Sequence, residues 1–445
     1  MKTLQLRKII MAGIIFTLMA GIIFALIPSL MQAQTTRGSI TSADNKTLAY
    51  TDDNASRIYP FGDSSSPILG YVNSSDGGQQ GIEKSFNKVL SEGKNVQLNI
   101  DLALQQKIEA LIDTKKEAYD ADEILVGVMD SLTGKVITLA TSNRYDAADI
   151  SEKDIPALIP KFAEYPYEPG SVMKPLSIAI ALDRQKVTPD TWFKTGYKKF
   201  DITGGQSTAD DYYFEDLTVT EIIVQSSNIG TAQILWKISG EEFRNGLLKF
   251  GIAQKTGIDL SRDLPGSLKP VKLLNHKMHR ANSSYGYGMM ATHAQLLKAY
   301  SAFNNDGIAV TPRIVDYIED EKGNKYTINP KIGNMQAISK KTSQDMHNIL
   351  VEVVKRGTGV KAQYEGLEIG GKTGTAHLAK DGRYVREFHS SFYGFANDTK
   401  GHHYTIGVLV IRAKAKYKYF ASQSAVPVFR EIVDALVKGS YLNLK

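Results

Sequence analysis

The sequence predicts an α+β fold in which an antiparallel sheet takes strands from two distant parts of the chain and is flanked by helices. Short, apolar, β-rich runs occur at residues 124–141 and again after Gly370, whereas residues 146–360 follow mostly helical spacing. A final helical pattern ends at Lys438. Strands on both sides of a long helical insertion are typical of one shared sheet with an added helical subdomain.

The N-terminal region predicts a membrane anchor. An uncharged apolar stretch begins at Ile9 and ends at Leu30, and as a helix it would span roughly 33 Å, about the hydrocarbon thickness of a bilayer. We therefore expect a basic cytoplasmic tail (1–8), a single transmembrane helix (9–31) and an extracytoplasmic remainder. A cleaved signal peptide is the alternative, but its apolar stretch should be shorter, and Met31 stands where a small residue is expected.

The amino-acid composition argues against several classes of function. The chain has 445 residues, 42% hydrophobic and 22% charged, so most of it should fold. The net charge of +6 is scattered, which suits a membrane or cell wall as neighbour and gives no support for nucleic acid. With no cysteine, disulfides, thiol nucleophiles and zinc–thiolate sites are excluded. The histidines lack the H-E-x-x-H pattern, so we expect neither a metal nor another cofactor.

Residues 35–116 are polar and turn-rich, and we predict a linker leading into a small, strand-poor pedestal. Asp101 is the expected N-cap of a helix, and a turn around Gly134 joins the two apolar runs of a hairpin. The second unit, residues 117–445, should then hold the sheet and the helical subdomain.

Within that second unit, local signals mark several helix ends. Thr218 with Glu221, and Thr292 with Gln295, fit the capping box at a helix start. A long amphipathic pattern stops at Gly357. These signals predict separate helices between the two groups of strands.

One glycine-rich stretch matches the nucleotide phosphate loop. Gly366, Gly371, Lys372 and Thr373 satisfy G-x-x-x-x-G-K-[ST]. That loop requires a buried strand before it and a helix after it, and here Gly374 and an alternating, strand-like pattern follow. We therefore reject nucleotide binding at this position.

Two serine motifs lie in settings that suit acyl transfer. In Ser171-Val-Met-Lys174, a turn precedes a strongly apolar helix, which places both side chains on one face near the helix N-terminus. A buried lysine there can act as a base. Ser226 and Asn228 stand in a short break between two apolar helical stretches, where a hydroxyl and an amide can relay a proton and hold a substrate. A plain N-cap and a helix–helix turn are the alternative interpretations of these two sites.

The same short motifs also occur elsewhere in the chain, so a motif alone does not identify a site and its surroundings must be compared. S-x-x-K recurs from Ser85 to Lys88 in a polar turn region, and K-T-G recurs at Lys194 and Lys255 in polar or glycine-rich surroundings. Only Lys372-Thr-Gly is preceded by an apolar, glycine-rich approach and followed by a strand.

The order S-x-x-K, S-x-N, K-T-G resembles the penicillin-binding protein and serine β-lactamase superfamily. Further stretches resemble the class B penicillin-binding proteins, monofunctional transpeptidases that crosslink peptidoglycan. These stretches are Arg37-Gly-Ser-Ile, GIEKSFNKVL, NIDLALQQ, MDSLTGKVI, SYGYGMMATHAQLLKAYSAFNNDG, HSSFYGFA and AVPVFREIV. The resemblance implies an α+β transpeptidase domain of the penicillin-binding and serine β-lactamase type, here in a short form with a reduced pedestal.

The resemblance also implies a role for each motif residue. Ser171 would attack the D-Ala-D-Ala carbonyl of a stem peptide, Lys174 would take its proton, and Ser226 would relay a proton to the departing D-alanine. The implied oxyanion hole is formed by the backbone N–H groups of Ser171 and Thr375. The implied substrate-binding residues are Asn228, Lys372, Thr373, Gly374 and Thr375.

The implied partners are peptidoglycan stem peptides, β-lactam antibiotics that would acylate Ser171, and a membrane glycan polymerase of the SEDS type. Three other functions use the same residues or part of them. A D,D-carboxypeptidase would replace the acceptor amine by water, and a β-lactamase or β-lactam sensor would share the serine and lysine. A non-catalytic cell-wall scaffold is disfavoured by the intact motifs.

Overall fold

The computed structural model describes residues 36–73, 77–380 and 382–445 of the chain. The predicted cytoplasmic tail and transmembrane helix (1–8 and 9–31) lie outside these residues. Within the described ranges, no helix is long and apolar enough to cross a membrane.

The helices are α1 (Ser66–Leu69), α2 (Gly81–Ser85), α3 (Asn87–Ser91), α4 (Leu102–Tyr119), α5 (Lys161–Glu164), α6 (Lys174–Asp183), α7 (Val219–Val224), α8 (Asn228–Leu235), α9 (Gly240–Lys249), α10 (Val271–Leu274), α11 (Lys277–Ser284), α12 (His293–Ser301), α13 (Lys340–Arg356) and α14 (Ala425–Lys438). The strands are β1 (Ile40–Thr41), β2 (Thr47–Thr51), β3 (Arg57–Ile58), β4 (Val72–Asn73), β5 (Gly77–Gly78), β6 (Asn95–Leu98), β7 (Glu123–Asp130), β8 (Val136–Thr141), β9 (Trp192–Phe193), β10 (Phe200–Thr203), β11 (Gln206–Thr208), β12 (Leu217–Thr218), β13 (Ile308–Ala309), β14 (Val315–Glu319), β15 (Lys325–Thr327), β16 (Met335–Gln336), β17 (Glu368–Lys380), β18 (Arg383–Asn397) and β19 (His403–Ile411). Short 3-10 turns occupy Glu152–Ala157, Gly170–Met173, Val360–Ala362 and Ala421–Gln423.

A five-stranded antiparallel sheet forms the centre of the molecule, with strand order β17-β18-β19-β7-β8. The hairpin β7–β8 therefore pairs, through β7, with β19, which lies more than 250 residues later in the chain. Almost every residue of β19 is buried, because helices cover both faces of the sheet. The predicted sharing of one sheet by the two groups of strands is confirmed.

Two layers of helices bury the two faces of this sheet. The long helix α4 and the last helix α14 pack together on one face, with Ile112 and Phe429 in their shared core. On the other face, α12 crosses β7, β18 and β19, and its core extends to the buried helix α6. The edge strand β17 is left free to face the helical subdomain, flanked by α13 and by the 3-10 turn that precedes α6.

A second sheet forms the pedestal and corrects the expectation of few strands there. Its order is β15-β14-β6-β1-β2-β3, so it contains four strands from residues 40–98 and two from residues 315–327. The individual strands are two to five residues long, which is too short to give a clear alternating pattern in the sequence. Helix α4 runs across the predicted boundary between residues 116 and 117 and packs on the central sheet.

The helix-end signals are mostly confirmed. Asp101 accepts the N–H of Leu104 at the start of α4, and the capping box of Thr292 and Gln295 is complete. Thr218 accepts from the N–H of Glu221 at 3.2 Å, but the Glu221 carboxylate pairs with Arg356 instead of completing its box.

Two further expectations are confirmed, and a third needs correction. Helix α13 ends at Arg356 as predicted, and the phosphate loop is absent because Lys372 lies inside strand β17 with no helix behind it. The middle of the chain contains more strand than expected, because β9–β13 and β16 form short two-stranded pairs beside the helices.

Candidate active site

The first motif serine lies in a helical turn pressed against strand β17. Ser171 is half-buried in the 3-10 turn Gly170–Met173, which leads directly into α6 at Lys174. Gly170 has a φ of 63°, and a Cβ at this position would lie 2.9 Å from the Cβ of Ala376 on the strand. The glycine therefore permits the close approach that brings Ser171 beside β17.

The three motifs meet at the side chain of Ser226. Its Oγ accepts from the Nζ of Lys372 at 2.9 Å and from the Nζ of Lys174 at 3.1 Å. Lys174 also donates to the backbone carbonyl of Ser226. One hydroxyl thus connects the three motifs, although Lys174 and Lys372 lie 198 positions apart in the sequence.

Both lysines have no solvent-exposed surface, and burial changes their proton affinity. Removal from water disfavours the ammonium form and lowers the pKa of Lys174 to about 8, although the carboxylates of Asp210 and Asp211 act in the opposite direction. The pKa of Lys372 is lowered by burial and then by the positive charge of Lys174. A neutral amine, which can accept a proton, is therefore accessible near neutral pH.

Ser226 stands at a strained point between two helices. Its φ is 62°, in the left-handed region that residues with a side chain adopt rarely, and it separates α7 from α8. Ser227 then caps α8 by accepting the N–H of Gly230 at 2.9 Å. This turn lies at the predicted break in the helical pattern, and it directs the Ser226 hydroxyl towards the two lysines.

The remaining predicted binding residues lie on the two segments that carry Ser226 and Lys372. The amide nitrogen of Asn228 donates to the carbonyl of Ala209 at 2.9 Å. Thr373 Oγ1 lies 3.3 Å from the Nζ of Lys372, and Thr375 Oγ1 accepts the N–H of Ala421 at 3.2 Å. Thr373 and Thr375 thus belong to β17, and Asn228 begins α8 two residues after Ser226, while the contacts of all three with a substrate stay a prediction.

Gly374 allows strand β17 to pack closely against the 3-10 turn that carries Ser171. A Cβ on Gly374 would lie 2.9 Å from Cγ1 of Val172 and 3.1 Å from the carbonyl oxygen of Pro169. A larger residue would push β17 away from the turn that carries Ser171. Its place in the K-T-G motif thus has a packing reason of its own.

The other copies of the motifs lie elsewhere on the surface. Ser85 belongs to α2 of the pedestal, where its hydroxyl donates to the carbonyl of Gly81, and Lys88 is exposed on the next helix. Lys194 and Lys255 are also exposed. Burial separates these copies from Lys174 and Lys372.

Sequence reasoning missed two residues that support the site. The hydroxyl of Tyr300, fully buried on α12, donates to the carbonyl of Val172 at 2.6 Å, directly after Ser171. The carboxylate of Asp210 accepts from the start of α8. Both lie in other segments, 128 and 17 positions from their partners, and no local pattern marks them.

The fold and this arrangement define a serine acyl-transfer protein, and comparison with known proteins gives its family. The family described as the Penicillin binding protein transpeptidase domain matches residues 124–434, about 70% of the chain. The chain belongs to this family.

Individual relatives give more detail. A peptidoglycan D,D-transpeptidase FtsI from Buchnera aphidicola is 27% identical, covering 87% of this chain and 71% of that protein. Stage V sporulation protein D from Bacillus subtilis is 28% identical, covering 78% of this chain and 58% of that protein. The crystal structure of penicillin binding protein 3 from Mycobacterium tuberculosis superposes with a TM-score of 0.85 at 26% identity, covering 93% of this chain and 98% of that one. The same protein has been crystallised with aztreonam and with ampicillin.

Proposed function

We propose that this protein is a serine-type peptidoglycan D,D-transpeptidase that crosslinks the stem peptides of the cell wall. The observation that carries the proposal is the buried cluster of Lys174, Ser226 and Lys372 around one hydroxyl, beside the turn that bears Ser171. The family match and the relatives named peptidoglycan D,D-transpeptidases support the substrate.

In the first step, the hydroxyl of Ser171 attacks the carbonyl carbon between the two terminal D-alanines, and its proton passes to the neutral amine of Lys174. The N–H groups of Ser171 and Thr375 stabilise the oxyanion, each contributing about 2.7–4 kcal/mol. The C–N bond then breaks. The departing D-alanine nitrogen receives the proton from Lys174 through the hydroxyl of Ser226, and an ester remains on Ser171.

In the second step, an amine of another stem peptide attacks that ester and gives a proton to Lys174. The ester C–O bond breaks, Ser171 recovers its proton, and a new amide crosslinks the two peptides. Lys372, Thr373, Gly374 and Thr375 bind the terminal carboxylate of the donor along the edge of β17. Asn228 binds the amide backbone of the donor. β-Lactams acylate Ser171 by the same first step.

Labelling with fluorescent penicillin tests the nucleophile. Wild type should gain the mass of one penicillin, and Ser171→Ala should gain none while keeping its melting temperature. Ser85→Ala, which alters the other S-x-x-K serine, is the matched control and should label normally. Absence of labelling in folded wild type would refute the proposal and favour a non-catalytic scaffold.

A donor peptide ending in D-Ala-D-Ala distinguishes the remaining activities. A transpeptidase forms a crosslinked product whose yield rises with the concentration of an acceptor amine, whereas a D,D-carboxypeptidase releases D-alanine and a hydrolysed peptide at any acceptor concentration. Rapid loss of the penicillin label would instead identify a β-lactamase.

We further propose that residues 9–31 anchor the protein in the cell membrane with residues 1–8 in the cytoplasm and the acyl-transfer domain outside. The uncharged apolar stretch and the basic residues before it support this topology. A SEDS-type glycan polymerase is the proposed membrane partner. Full-length protein should remain in the membrane fraction after a high-salt wash and should co-purify with that polymerase; release into the soluble fraction would refute the anchor.

A further inference from the structure

The carboxylate of Asp210 gathers three hydrogen-bond donors at the start of helix α8. Its Oδ2 accepts from the hydroxyl of Ser227 at 2.6 Å. Its Oδ1 accepts the backbone N–H groups of Asn228 at 2.5 Å and Ile229 at 3.0 Å. These are N–H groups of the first turn, which has no intrahelical acceptor for them, so a carboxylate satisfies them and also interacts favourably with the helix dipole.

The adjacent residue extends the same contact. The carbonyl of Ala209 accepts the side-chain amide of Asn228, so residues 209 and 210 together hold both the backbone and the side chain of the S-x-N motif. These two residues follow β11 and belong to a different segment from α7 and α8. The start of α8 is therefore fixed from outside, directly after the left-handed residue Ser226.

Asp210 also acts electrostatically on Lys174. The charged groups that act on Lys174 are Lys372, which shares the hydroxyl of Ser226, and the two carboxylates Asp210 and Asp211 on the loop after β11. Burial lowers the pKa of Lys174, and these carboxylates raise it again. Without one of them, the neutral amine should form at a lower pH.

We propose that Asp210 is a positioning residue of the acyl-transfer site: it holds Ser226 and Asn228 in register with the two buried lysines and supplies negative charge near Lys174. The inference rests on the proposed function. Asp210 touches neither the reacting serine nor its lysine directly, so it acts through the S-x-N motif and through its charge.

Two substitutions separate these contributions. Asp210→Asn keeps one carbonyl oxygen for the N–H groups of Asn228 and Ile229 but removes the charge, whereas Asp210→Ala removes both. Asp259→Asn is the matched control, since Asp259 also accepts two backbone N–H bonds, from Ile314 and Val315, and is not among the charges that act on Lys174. The measurement is the rate constant for acylation by fluorescent penicillin from pH 6 to 9, with the melting temperature of each variant.

For Asp210→Asn, we expect the rising limb of the pH profile to move to lower pH with a melting temperature near that of wild type. For Asp210→Ala, the limb should move equally and the plateau rate should fall by about tenfold to a hundredfold, because Ser226 loses its fixed position. If Asp210→Ala fails to fold, the shift in Asp210→Asn still tests the role of the charge.

Unchanged pH profiles in both Asp210 variants would overturn the inference, and so would an equal shift in Asp259→Asn. A loss of rate that only follows the unfolded fraction would also overturn it, because a purely structural role predicts that result. Failure of the proposed function is a separate outcome, seen as absence of penicillin acylation in wild type.

Discussion

The lowered pKa of Lys174 predicts a specific pH dependence for acylation of Ser171. Below the pKa of about 8, the lysine is an ammonium and cannot take the proton of the serine. The acylation rate constant should therefore rise about tenfold per pH unit from pH 6, bend near pH 8 and level off above it. The sign follows from burial, which favours the neutral amine of the folded protein.

The size of the effect follows from the two pKa values. An ordinary lysine with a pKa of 10.5 is neutral at pH 7 in roughly 1 molecule in 3,000, whereas a pKa of about 8 gives roughly 1 in 10. The lowered pKa thus increases the population of the neutral amine at pH 7 by a factor on the order of 100, which corresponds to about 3 kcal/mol.

Time courses of fluorescent-penicillin labelling at fixed pH measure this profile. Lys298→Met is the control, because Lys298 is also buried with a pKa lowered to about 8, yet it bonds to Thr256 and Thr311 away from the cluster. This variant should keep the midpoint of wild type. A rate independent of pH between 6 and 9, or a midpoint near 10.5, would refute the assignment of Lys174 as the base.

Three further substitutions test the geometry. Ser226→Ala should keep the fold but lower the acylation rate about a hundredfold or more, measured by labelling, since the proton relay is lost; a near-normal rate would exclude the relay. Gly374→Ala should destabilise the protein by about 1–3 kcal/mol in urea unfolding and slow acylation, because its Cβ would lie 2.9 Å from Val172. Gly333→Ala, with open space around the new Cβ, should be neutral, and equal effects of both would contradict this reasoning. Tyr300→Phe should cost about 0.5–1.5 kcal/mol and reduce the acylation rate, since the carbonyl of Val172 loses a donor; an unchanged rate would show that the turn holds its shape alone.

Sequence patterns predicted the central sheet and the composition of the site for identifiable reasons. The hairpin β7–β8 and the strands β17–β19 are long, apolar and bounded by polar turns, so their type was clear. The S-x-x-K motif stood out because it begins a strongly apolar helix, and the S-x-N motif because it interrupts two apolar helical stretches. Burial was the property that distinguished Lys372 from the other K-T-G lysines, and the glycine-rich, apolar approach to the strand indicated it.

The missed features all depend on contacts between distant residues. Strand β14 pairs with β6 across more than 200 positions, and neither strand is long enough to reveal its partner. Tyr300 and Asp210 lie in segments whose local patterns are ordinary, and only the folded chain brings them to Val172 and to the start of α8. The roles of these residues depend on tertiary contacts, which local sequence patterns do not reveal.

The pairing of β14 with β6 joins the pedestal and the acyl-transfer region in one continuous sheet. A fragment beginning at residue 117 would retain β14 and β15 but lose β6, the strand with which β14 pairs. The exposed edge of β14 would then favour aggregation. Chimeras that exchange the N-terminal region between relatives must therefore preserve the pairing of β14 with β6.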